Sequence, residues 1–511
     1  MVRGFKVEKL DLKIPPLNVY AGLRDLPYSF FLDSALSGGA LGKFSFIGIE
    51  PFLIFKSKKD RITLDWITRK EKLRGNPFFA LKTLFARFKM KPGNSEIPFT
   101  GGGLGYFSYD LKHFNESLSE RAFSDVDIPD CIFCFYDAIL AFNHSRGEYH
   151  AVSTGFPENG RRRALRQKAR LKGLKDRIAS ANFQTRTRST ASVERNHSFY
   201  PFHCVSGTGR TSGEARGEVL GIAGSEAGIQ SNFTKDTYAK AVNKAKDYIR
   251  AGDIYQVNLS QRFKVVLEND PFDTYRILRA INPAPFACFL DFGDIKIASA
   301  SPERFMKKEG RYIETRPIKG TRPRGINSSE DARLKNELIS SAKDRAENLM
   351  IIDLERNDLG RICEYASVRV SEFMACEKYA TVFHLVSTIC GKLREGISAV
   401  DCLINCFPGG SITGAPKIRS MEIIEELEPV KRSVYTGAIG YIGFDGNMDT
   451  SIVIRTFIIK GKNAYFHVGG GIVYDSDPNK EYEETLHKAK ALIEAILYER
   501  SLFEQKICSF K

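Results

Sequence analysis

The hydrophobic positions along the chain divide it into three regions. Between residue 21 and about residue 155, short apolar runs alternate with glycine-containing turns, and one helix-like run spans Pro77 to Phe88. Apolar runs of this kind, bounded by glycine, are typical of β-strands. The pattern predicts a strand-rich first region at residues 1–155.

Polar residues dominate the middle of the chain. Residues 156–232 are rich in Arg, Ser, Thr, Gly and Asn, and hydrophobic periodicity is weak after Ser180. Leu171, Leu174 and Ile178 recur at helical spacing before that point. We therefore predict one surface helix followed by a flexible connector.

The third region, residues 233–511, shows both helical and strand patterns. Tyr238–Arg250 has a helical pattern, and Thr234 is a suitable cap for it. Asp253–Phe263 alternates like a half-buried strand, whereas Ser341–Asn357 is helical. Most of the candidate chemistry lies in this region.

The composition is typical of a soluble globular protein, with 42% hydrophobic and 27% charged residues in a chain of 511. The first residues lack the apolar core of a signal peptide, and no apolar run has the length of a membrane helix. We expect a cytoplasmic enzyme or binding protein without a membrane partner. Cys131 and Cys134 have CxxC spacing, but in a strand they face opposite sides, which favours buried reduced thiols over a metal site.

The formal charge of +15 raises the question of nucleic-acid binding. The excess is local, because residues 161–195 hold twelve basic residues against two acidic ones. No aromatic residue interleaves with the basic ones before Phe183, which argues against binding of single strands. We interpret the segment as the solvated basic face of a helix and expect no nucleic-acid partner.

Two acidic pairs are candidates for a metal site. Asp344 and Glu347 lie three residues apart, as do Glu481 and Glu484, so each pair shares one face of a helix. Mg²⁺ prefers oxygen ligands and often binds through one or two carboxylates plus an anionic substrate. The alternative is that all four are surface carboxylates, with Glu484 paired to Lys488.

Other features favour the binding of a small anion. The glycine-rich stretches 409–414 and 469–471 offer backbone amides, and Arg455 is able to grip a carboxylate. His384 is a candidate acid for a leaving hydroxyl. A structural ion pair for Arg455 and a core position for His384 remain the alternatives. Together these residues favour a dianionic substrate, held by Mg²⁺ at one end and by arginine and amides at the other.

Lys319 stands in a stretch that Pro317 and Pro323 stiffen on both sides. Gly320 allows the backbone to approach whatever the lysine faces. Taken alone, this stretch is more typical of a solvated lysine at the end of a strand.

Six motifs occur in an order that resembles the chorismate-utilising enzymes, and within them the aminodeoxychorismate synthases. The resemblance runs from about Phe30 to the C-terminal helix and is weakest in the 156–232 segment. It implies an α+β fold, a large single catalytic unit of two stacked antiparallel β-sheets with helices outside, to which both halves of the sequence contribute. The motifs span residues 101–110, 253–263, 301–305, 344–350, 409–417 and 448–456.

The resemblance also implies a metal site. Glu347 and Glu484 would bind Mg²⁺ directly, with Asp344 and Glu481 in the same site through water. The metal would hold the ring carboxylate of chorismate. Many members of the family have a second glutamate at the position of Asp344, a small departure at an outer position.

Substrate contacts follow from the same resemblance. The carboxylate of the enolpyruvyl arm would be held by side chains and by backbone in a glycine turn, with a nearby lysine adding positive charge. His384 would sit beside the departing ring hydroxyl, and Thr321 and Ser411 would line the pocket. The residues that would hold the arm are Tyr435, Arg455, Gly470, Gly471 and Lys488.

Lys319 separates two subfamilies. Anthranilate synthases have Pro-Ile-Ala-Gly-Thr where this chain has Pro-Ile-Lys-Gly-Thr at residues 317–321. The resemblance implies that Lys319 attacks the ring and displaces its hydroxyl, after which ammonia displaces the lysine to give 4-amino-4-deoxychorismate. Anthranilate synthase is the alternative. Isochorismate and salicylate synthases need a lysine at the position of Gln256, which argues against them.

The resemblance implies two further partners. No segment of the chain resembles a glutamine amidotransferase, so a separate glutaminase subunit would supply ammonia. A tryptophan pocket in the family uses the regions that contain Ser34, Pro283 and Phe286, all of which are recognisable here. Whether tryptophan binds is left open by the sequence.

Overall fold

Two large antiparallel β-sheets form the centre of the molecule. The structure, a computed structural model, describes residues 4–35, 41–91, 95–181, 228–379 and 382–509. Within these residues each sheet has twelve strands, and helices pack on the outside. The predicted α+β fold class is therefore confirmed.

The strands are short and are distributed along the whole described part of the chain. In chain order they are β1 (Lys6–Leu10), β2 (Phe30–Asp33), β3 (Phe44–Gly48), β4 (Leu53–Lys58), β5 (Arg61–Trp66), β6 (Lys70–Arg74), β7 (Gly102–Phe107), β8 (Cys131–Tyr136), β9 (Ala138–Asn143), β10 (Glu148–Ser153), β11 (Gln230–Ser231), β12 (Gln256–Val266), β13 (Phe286–Asp291), β14 (Ile295–Ser301), β15 (Arg304–Glu309), β16 (Tyr312–Arg316), β17 (Ile318–Pro323), β18 (Arg369–Lys378), β19 (Val382–Lys392), β20 (Gly414–Ala415), β21 (Ala438–Gly443), β22 (Met448–Ile452), β23 (Thr456–Lys460) and β24 (Asn463–Ile472).

The helices connect and cover these strands. They are α1 (Pro16–Leu23), α2 (Pro77–Arg87), α3 (Gly160–Ser180), α4 (Lys235–Arg250), α5 (Pro271–Ile281), α6 (Ser328–Ser340), α7 (Ala342–Gly360), α8 (Ala399–Cys406), α9 (Lys417–Leu427) and α10 (Pro478–Ser509). Within the described ranges, no helix combines the length and the apolar character needed to cross a membrane.

Both halves of the sequence contribute to both sheets. Sheet A has the order β1-β10-β9-β3-β2-β13-β14-β23-β24-β12-β11, with β20 also paired to β12. Sheet B has the order β17-β19-β16-β15-β22-β21-β7-β8-β4-β5-β6, with β18 also paired to β19. The two halves join where β2 pairs with β13 and where β7 pairs with β21. The division into regions 1–155, 156–232 and 233–511 remains a sequence-based prediction.

Three hydrophobic clusters define the layers. One lies between the sheets and contains Phe46 and Ile297 of sheet A together with Tyr106 and Ile132 of sheet B. A second packs helices such as α5 and α10 on the outer face of sheet A. The third packs helices such as α2 and α8 on sheet B. The result is a helix–sheet–sheet–helix arrangement, in which burial of apolar area on both faces of each sheet stabilises the fold.

Local predictions agree with several elements. The predicted helix at 238–250 is α4, and the Thr234 hydroxyl accepts a hydrogen bond from the Thr237 amide as its cap. The predicted strand at 253–263 starts later, at Gln256, where β12 first pairs with Ala415 of β20, and its pairing with β24 begins at Val257. The ladder continues to Val266, since the partner strand and not the local pattern sets where pairing ends.

The basic helix is only partly solvated. Leu171, Leu174 and Ile178 are buried on α3, as their spacing predicts. Two arginines of this helix, Arg166 and Arg170, form ion pairs with the buried Asp137 at 2.7 and 3.0 Å. Part of the basic charge is thus neutralised by the strand-rich first region. The predicted connector lies mostly at residues 182–227, outside the described residues.

Cys131 and Cys134 are buried free thiols on β8. Cys131 packs on the outer face of sheet B and Cys134 packs between the sheets. The prediction that the two thiols face opposite sides of a strand is therefore confirmed.

A buried ion pair offers a test of the core. The Arg432 guanidinium donates to both carboxylate oxygens of Glu428 at 2.9 and 2.7 Å, and both side chains are almost completely buried. In Glu428→Gln the arginine loses its counterion, so we expect a loss of about 3–5 kcal/mol in unfolding free energy. Urea unfolding measures this loss, with Glu426→Gln, a partly exposed neighbour, as the control. Equal urea midpoints of unfolding for Glu428→Gln and Glu426→Gln would contradict the prediction.

Candidate active site

Lys319 lies at an irregular point of sheet B. β17 pairs with β19 through Ile318 and Val386, and then through Thr321 and His384, with a shift of register between the two pairs. Gly320 has a φ of 86°, in the left-handed region that favours glycine. The bulge frees Lys319 from the regular alternation of strand side chains.

The Lys319 side chain is half-buried among charged groups. Burial lowers the pKa of its amine, and the nearby Lys488 ammonium lowers it further. The carboxylates of Glu347, Glu303 and Glu484 act in the opposite direction. A lysine with a lowered pKa keeps a larger fraction of free amine, which is the form that acts as a nucleophile.

Glu303 is a buried carboxylic acid next to this lysine, with 5% of its surface exposed. Burial raises the pKa of Glu303 to about 7. The Ser411 hydroxyl, which donates to Glu303 Oε1 at 2.6 Å, the Lys319 ammonium and the Ile318 amide all oppose that shift. A carboxyl group with a pKa near neutrality is suited to general acid–base catalysis.

Sequence reasoning did not identify Glu303 as a functional residue. The residue stood inside a recognised motif at 301–305, between Pro302 and Arg304, without an assigned role. The sequence signal that could have indicated its role is a carboxylate that closely follows an apolar strand, β14. The fold then buries this carboxylate.

Arg455 is a partly buried cation without a carboxylate partner in the described residues. Burial lowers the pKa of its guanidinium, and only Tyr435 opposes the shift. Tyr435 is itself buried and stacks on His467, with ring centroids 4.8 Å apart and an interplanar angle of 8°. An unpaired guanidinium beside a fixed tyrosine is a suitable site for a carboxylate ligand.

His384 is held beside Thr321. The Thr321 hydroxyl and His384 Nδ1 lie 2.9 Å apart. Burial, together with the positive charge of Arg455, lowers the pKa of His384 to about 3. The imidazole is therefore neutral near pH 7, which makes it a hydrogen-bonding group rather than a proton donor.

The four predicted metal-site carboxylates come from two helices. Asp344 pairs with Arg322 at 3.0 Å, and Glu481 accepts a hydrogen bond from Ser476 at 2.6 Å. Within the described ranges, no group of three or more His, Cys, Asp and Glu side chains forms a metal-binding cluster. The prediction that all four carboxylates share one site is not tested by these contacts.

Of these four carboxylates, Glu347 and Glu484 act on Lys319, as Glu303 does. Burial raises the pKa of Glu347, and the charge of Glu484 raises it further. Glu484 pairs with Lys488 at 2.7 Å, and this ammonium holds the pKa of Glu484 below its usual range. Two oxygen ligands from two helices fit a Mg²⁺ ion that completes its shell with water and substrate.

Residues 469–471 belong to β24 and pair with β12, so the predicted glycine turn is part of a strand, which packs against α10. A Cβ on Gly470 would come within 3.2 Å of Glu481 Oε2 and 3.6 Å of Glu484 Oε1. Lys488 Nζ donates to the Gly469 carbonyl at 2.9 Å. A Cβ on Gly471 would clash with the Gln256 amide, so a side chain at this position would displace the glutamine.

The structure thus brings the predicted residues into one connected group. Glu303 links Lys319 to Ser411, and Lys319 interacts with the carboxylates of both helices. His384 connects Thr321 with Arg455. The roles assigned to these residues from the resemblance remain predictions.

The predicted tryptophan pocket lies at the pairing of β2 with β13. The Ser34 hydroxyl donates to the Phe44 carbonyl at 2.7 Å. The Arg304 guanidinium lies over the ring of Phe286, 5.2 Å from the ring centre. Pro283 is half-buried just before β13. Residues 36–40, next to Ser34, lie outside the described residues, and tryptophan binding stays a prediction.

The raised pKa of Glu303 predicts a pH-dependent stability. Its folded pKa of about 7 lies above the ordinary value of 4.5, so between these values the folded state holds a proton that the unfolded state has lost. The stabilisation of the folded state by this proton is present at low pH and is lost as pH rises towards 7. The unfolding free energy of Glu303→Gln, relative to that of wild type, should therefore increase by up to about 3 kcal/mol over that range.

Urea unfolding of both proteins across this pH range checks the prediction. The matched control is Glu309→Gln, at an exposed glutamate on β15. Its unfolding free energy should show the same pH dependence as that of wild type. A difference in unfolding free energy between Glu303→Gln and wild type that stays the same at every pH in this range would contradict the raised pKa of Glu303.

The sequence profile described as chorismate binding enzyme matches residues 30–494. Anthranilate synthase component 1 of Acetivibrio thermocellus is 37% identical over 483 residues, which cover 94% of this chain and 92% of that protein. Aminodeoxychorismate synthase component 1 of Bacillus subtilis is also 37% identical, over 458 residues and 89% of each chain. The two activities are thus represented at the same identity.

A solved structure has the same fold. Anthranilate synthase component I from Streptococcus pneumoniae superimposes with a TM-score of 0.72 at 31% identity, covering 90% of this chain and 94% of that one. The profile match spans most of the chain, and the relatives cover nearly all of it. The chain therefore belongs to the chorismate binding enzyme family.

Proposed function

We propose that this protein aminates chorismate to 4-amino-4-deoxychorismate. The observation that carries the proposal is the placement of Lys319 beside Glu303. Burial lowers the pKa of the lysine and raises the pKa of the glutamate to about 7. The first shift increases the share of free amine, which a nucleophile needs, and the second leaves part of Glu303 protonated near neutral pH, as an acid for the same displacement requires.

The surrounding charges suit a dianion. Arg455, with Tyr435 beside it, would bind the carboxylate of the enolpyruvyl arm, and the backbone at Gly471 would add a donor. Glu347 and Glu484 would hold Mg²⁺, with Asp344 and Glu481 nearby, and the bound ion would neutralise the ring carboxylate. An unpaired buried charge is costly, so each carboxylate of the substrate needs such a partner.

The first step would form a bond between Lys319 Nζ and the ring. As this bond forms, the bond from the ring to its hydroxyl breaks, and Glu303 gives its proton to the departing oxygen. Water leaves, Lys319 carries the positive charge as a substituted ammonium, and Glu303 becomes a carboxylate. His384, neutral and held by Thr321, would orient the hydroxyl by a hydrogen bond.

The second step would restore the enzyme. Ammonia forms a bond to the carbon that carried the hydroxyl, and the bond from the ring to Lys319 Nζ breaks, so that the lysine leaves as a free amine. The new ammonium group gives one proton to Glu303. The product keeps its enolpyruvyl arm, and both Lys319 and Glu303 return to their starting forms.

A second protein would supply the ammonia. Relatives at 37% identity carry the name component 1, which indicates a two-component synthase. We propose a separate glutamine amidotransferase as the second component. Free ammonium at high concentration should replace it in an assay.

Anthranilate synthase is the alternative function. The names of relatives such as those of Acetivibrio thermocellus and Pseudomonas aeruginosa favour it, at 37% and 38% identity. In that case Lys319 would be dispensable, because amination would proceed without a covalent lysine intermediate.

The product distinguishes the two functions. Wild-type protein with chorismate, Mg²⁺ and ammonium should form 4-amino-4-deoxychorismate, separated and identified by chromatography and mass spectrometry. Lys319→Ala should lower its formation at least about 100-fold, because the nucleophile is removed. Lys378→Ala, at an exposed lysine of β18, is the control. Anthranilate as the main product, or full activity of Lys319→Ala, would refute the proposal.

Arg455 should govern substrate affinity. Arg455→Met removes the unpaired guanidinium, and kcat/KM for chorismate should fall about 100-fold, mostly through KM, since a charge-assisted bidentate contact is lost. Arg455→Lys should recover part of that loss. Arg419→Met, at a solvent-exposed ion pair with Asp253, should change little. An unchanged KM in Arg455→Met would place the carboxylate elsewhere.

A further inference from the structure

A second buried glutamate lies behind the proposed site. Glu355 is on α7, with 2% of its surface exposed. Its Oε1 accepts a hydrogen bond from the backbone amide of Gly410 at 3.0 Å. Its Oε2 is buried and has no hydrogen-bond partner among the described residues. Such a group has a desolvation cost, which a purely apolar side chain would avoid.

Glu355 contacts the loop that carries Ser411. We call residues 407–413 the serine loop, and its Ser411 donates to Glu303 at 2.6 Å. A Cβ on Gly410 would lie 2.5 Å from Leu354 Cδ2 and 3.1 Å from Glu355 Oε1. The helix and the loop therefore touch at the backbone of Gly410, one residue before the serine.

The same helix holds the serine loop at a second place. Asp358, one turn after Glu355, pairs with Lys417 of α9. Lys417 Nζ also donates to the carbonyls of Cys406 and Pro408, at 3.1 and 2.9 Å. The loop is thus fixed at its start by Lys417 and in its middle by Glu355.

We propose that Glu355 is a positioning residue, which holds the Gly410 amide so that Ser411 keeps its hydrogen bond to Glu303, the acid of the proposed reaction. The inference deepens the proposed function and rests on it, because Glu303 matters to catalysis only if it transfers a proton. Glu355 itself does not touch the substrate.

The charges around the two acids agree with this role. Burial and the charges of Asp358 and Glu303 raise the pKa of Glu355 to about 7, against the opposing effects of Lys417 and the Gly410 amide. Glu303 faces Lys319, Ser411 and the Ile318 amide, all of which lower its pKa. Loss of the Ser411 contact should therefore raise the pKa of Glu303.

Three variants separate positioning from simple packing. Glu355→Leu removes the acceptor for Gly410 while filling the space, Glu355→Gln keeps an acceptor of the same shape, and Ser411→Ala removes the contact with Glu303 directly. We expect Glu355→Leu and Ser411→Ala to lower kcat for chorismate consumption about tenfold, with KM within about twofold. Both should move the high-pH limb of the kcat profile to higher pH. Glu355→Gln should recover most of kcat and the original limb.

The double variant Glu355→Leu/Ser411→Ala is the sharper measurement. Its effect should equal that of Ser411→Ala alone, because both substitutions remove one contact. Asp353→Asn, at an exposed residue of the same helix, is the control. Additive effects, or a Glu355→Leu protein with wild-type kcat and pH profile but lowered thermal stability, would overturn the inference.

A readout without activity separates this inference from the proposed function. Urea unfolding against pH reports the titration of both buried acids, so the effect of Ser411→Ala is compared in the wild-type and Glu355→Leu proteins. Ser411→Ala should shift the titration upward in wild type and add no further shift in Glu355→Leu, where the contact is already lost. If wild type makes anthranilate, the proposed product is wrong, while the kcat series still decides the role of Glu355. If wild type consumes no chorismate, the unfolding series decides the role of Glu355, and the same shift from Ser411→Ala in both proteins would refute the inference.

Discussion

The electrostatic interaction between a half-buried lysine and a buried glutamic acid is the constraint on which the site depends. Glu303 lies in the connection from β14 of sheet A to β15 of sheet B, Lys319 lies on β17, and each affects the ionisation of the other. Neither charge is stable in a water-poor site without partners. The neighbouring groups, from Ser411 to Glu347, supply those partners.

Backbone irregularities make this arrangement possible. The bulge at Gly320 interrupts the pairing of β17 with β19, and glycines near the end of β24 let α10 approach the sheet. Regular strands would send alternate side chains to fixed faces. The strands supply a rigid frame, and its few exceptions bring lysine, acid and arginine to one place.

Sequence patterns predicted local structure well where the pattern was local. The capped helix α4, the buried side of α3 and the opposite faces of Cys131 and Cys134 follow from spacing that neighbouring residues decide. The start of β12 differed from its prediction, because its partners β20 and β24 set where pairing begins. Glu303 and Glu355 were missed, since burial by distant segments gives them their chemistry.

The sequence by itself determined the class of fold and the main motifs, and it predicted Lys319 as the residue that separates two products. These depend on residue identity and on spacing along the chain. Only the tertiary structure decided that Arg455 lacks a carboxylate partner in the described residues, that His384 is neutral and that Glu303 is an acid near neutral pH. The physical reason is that a pKa depends on burial and on charges brought together across more than 100 residues of sequence, as Ser411 and Glu303 are, 108 positions apart.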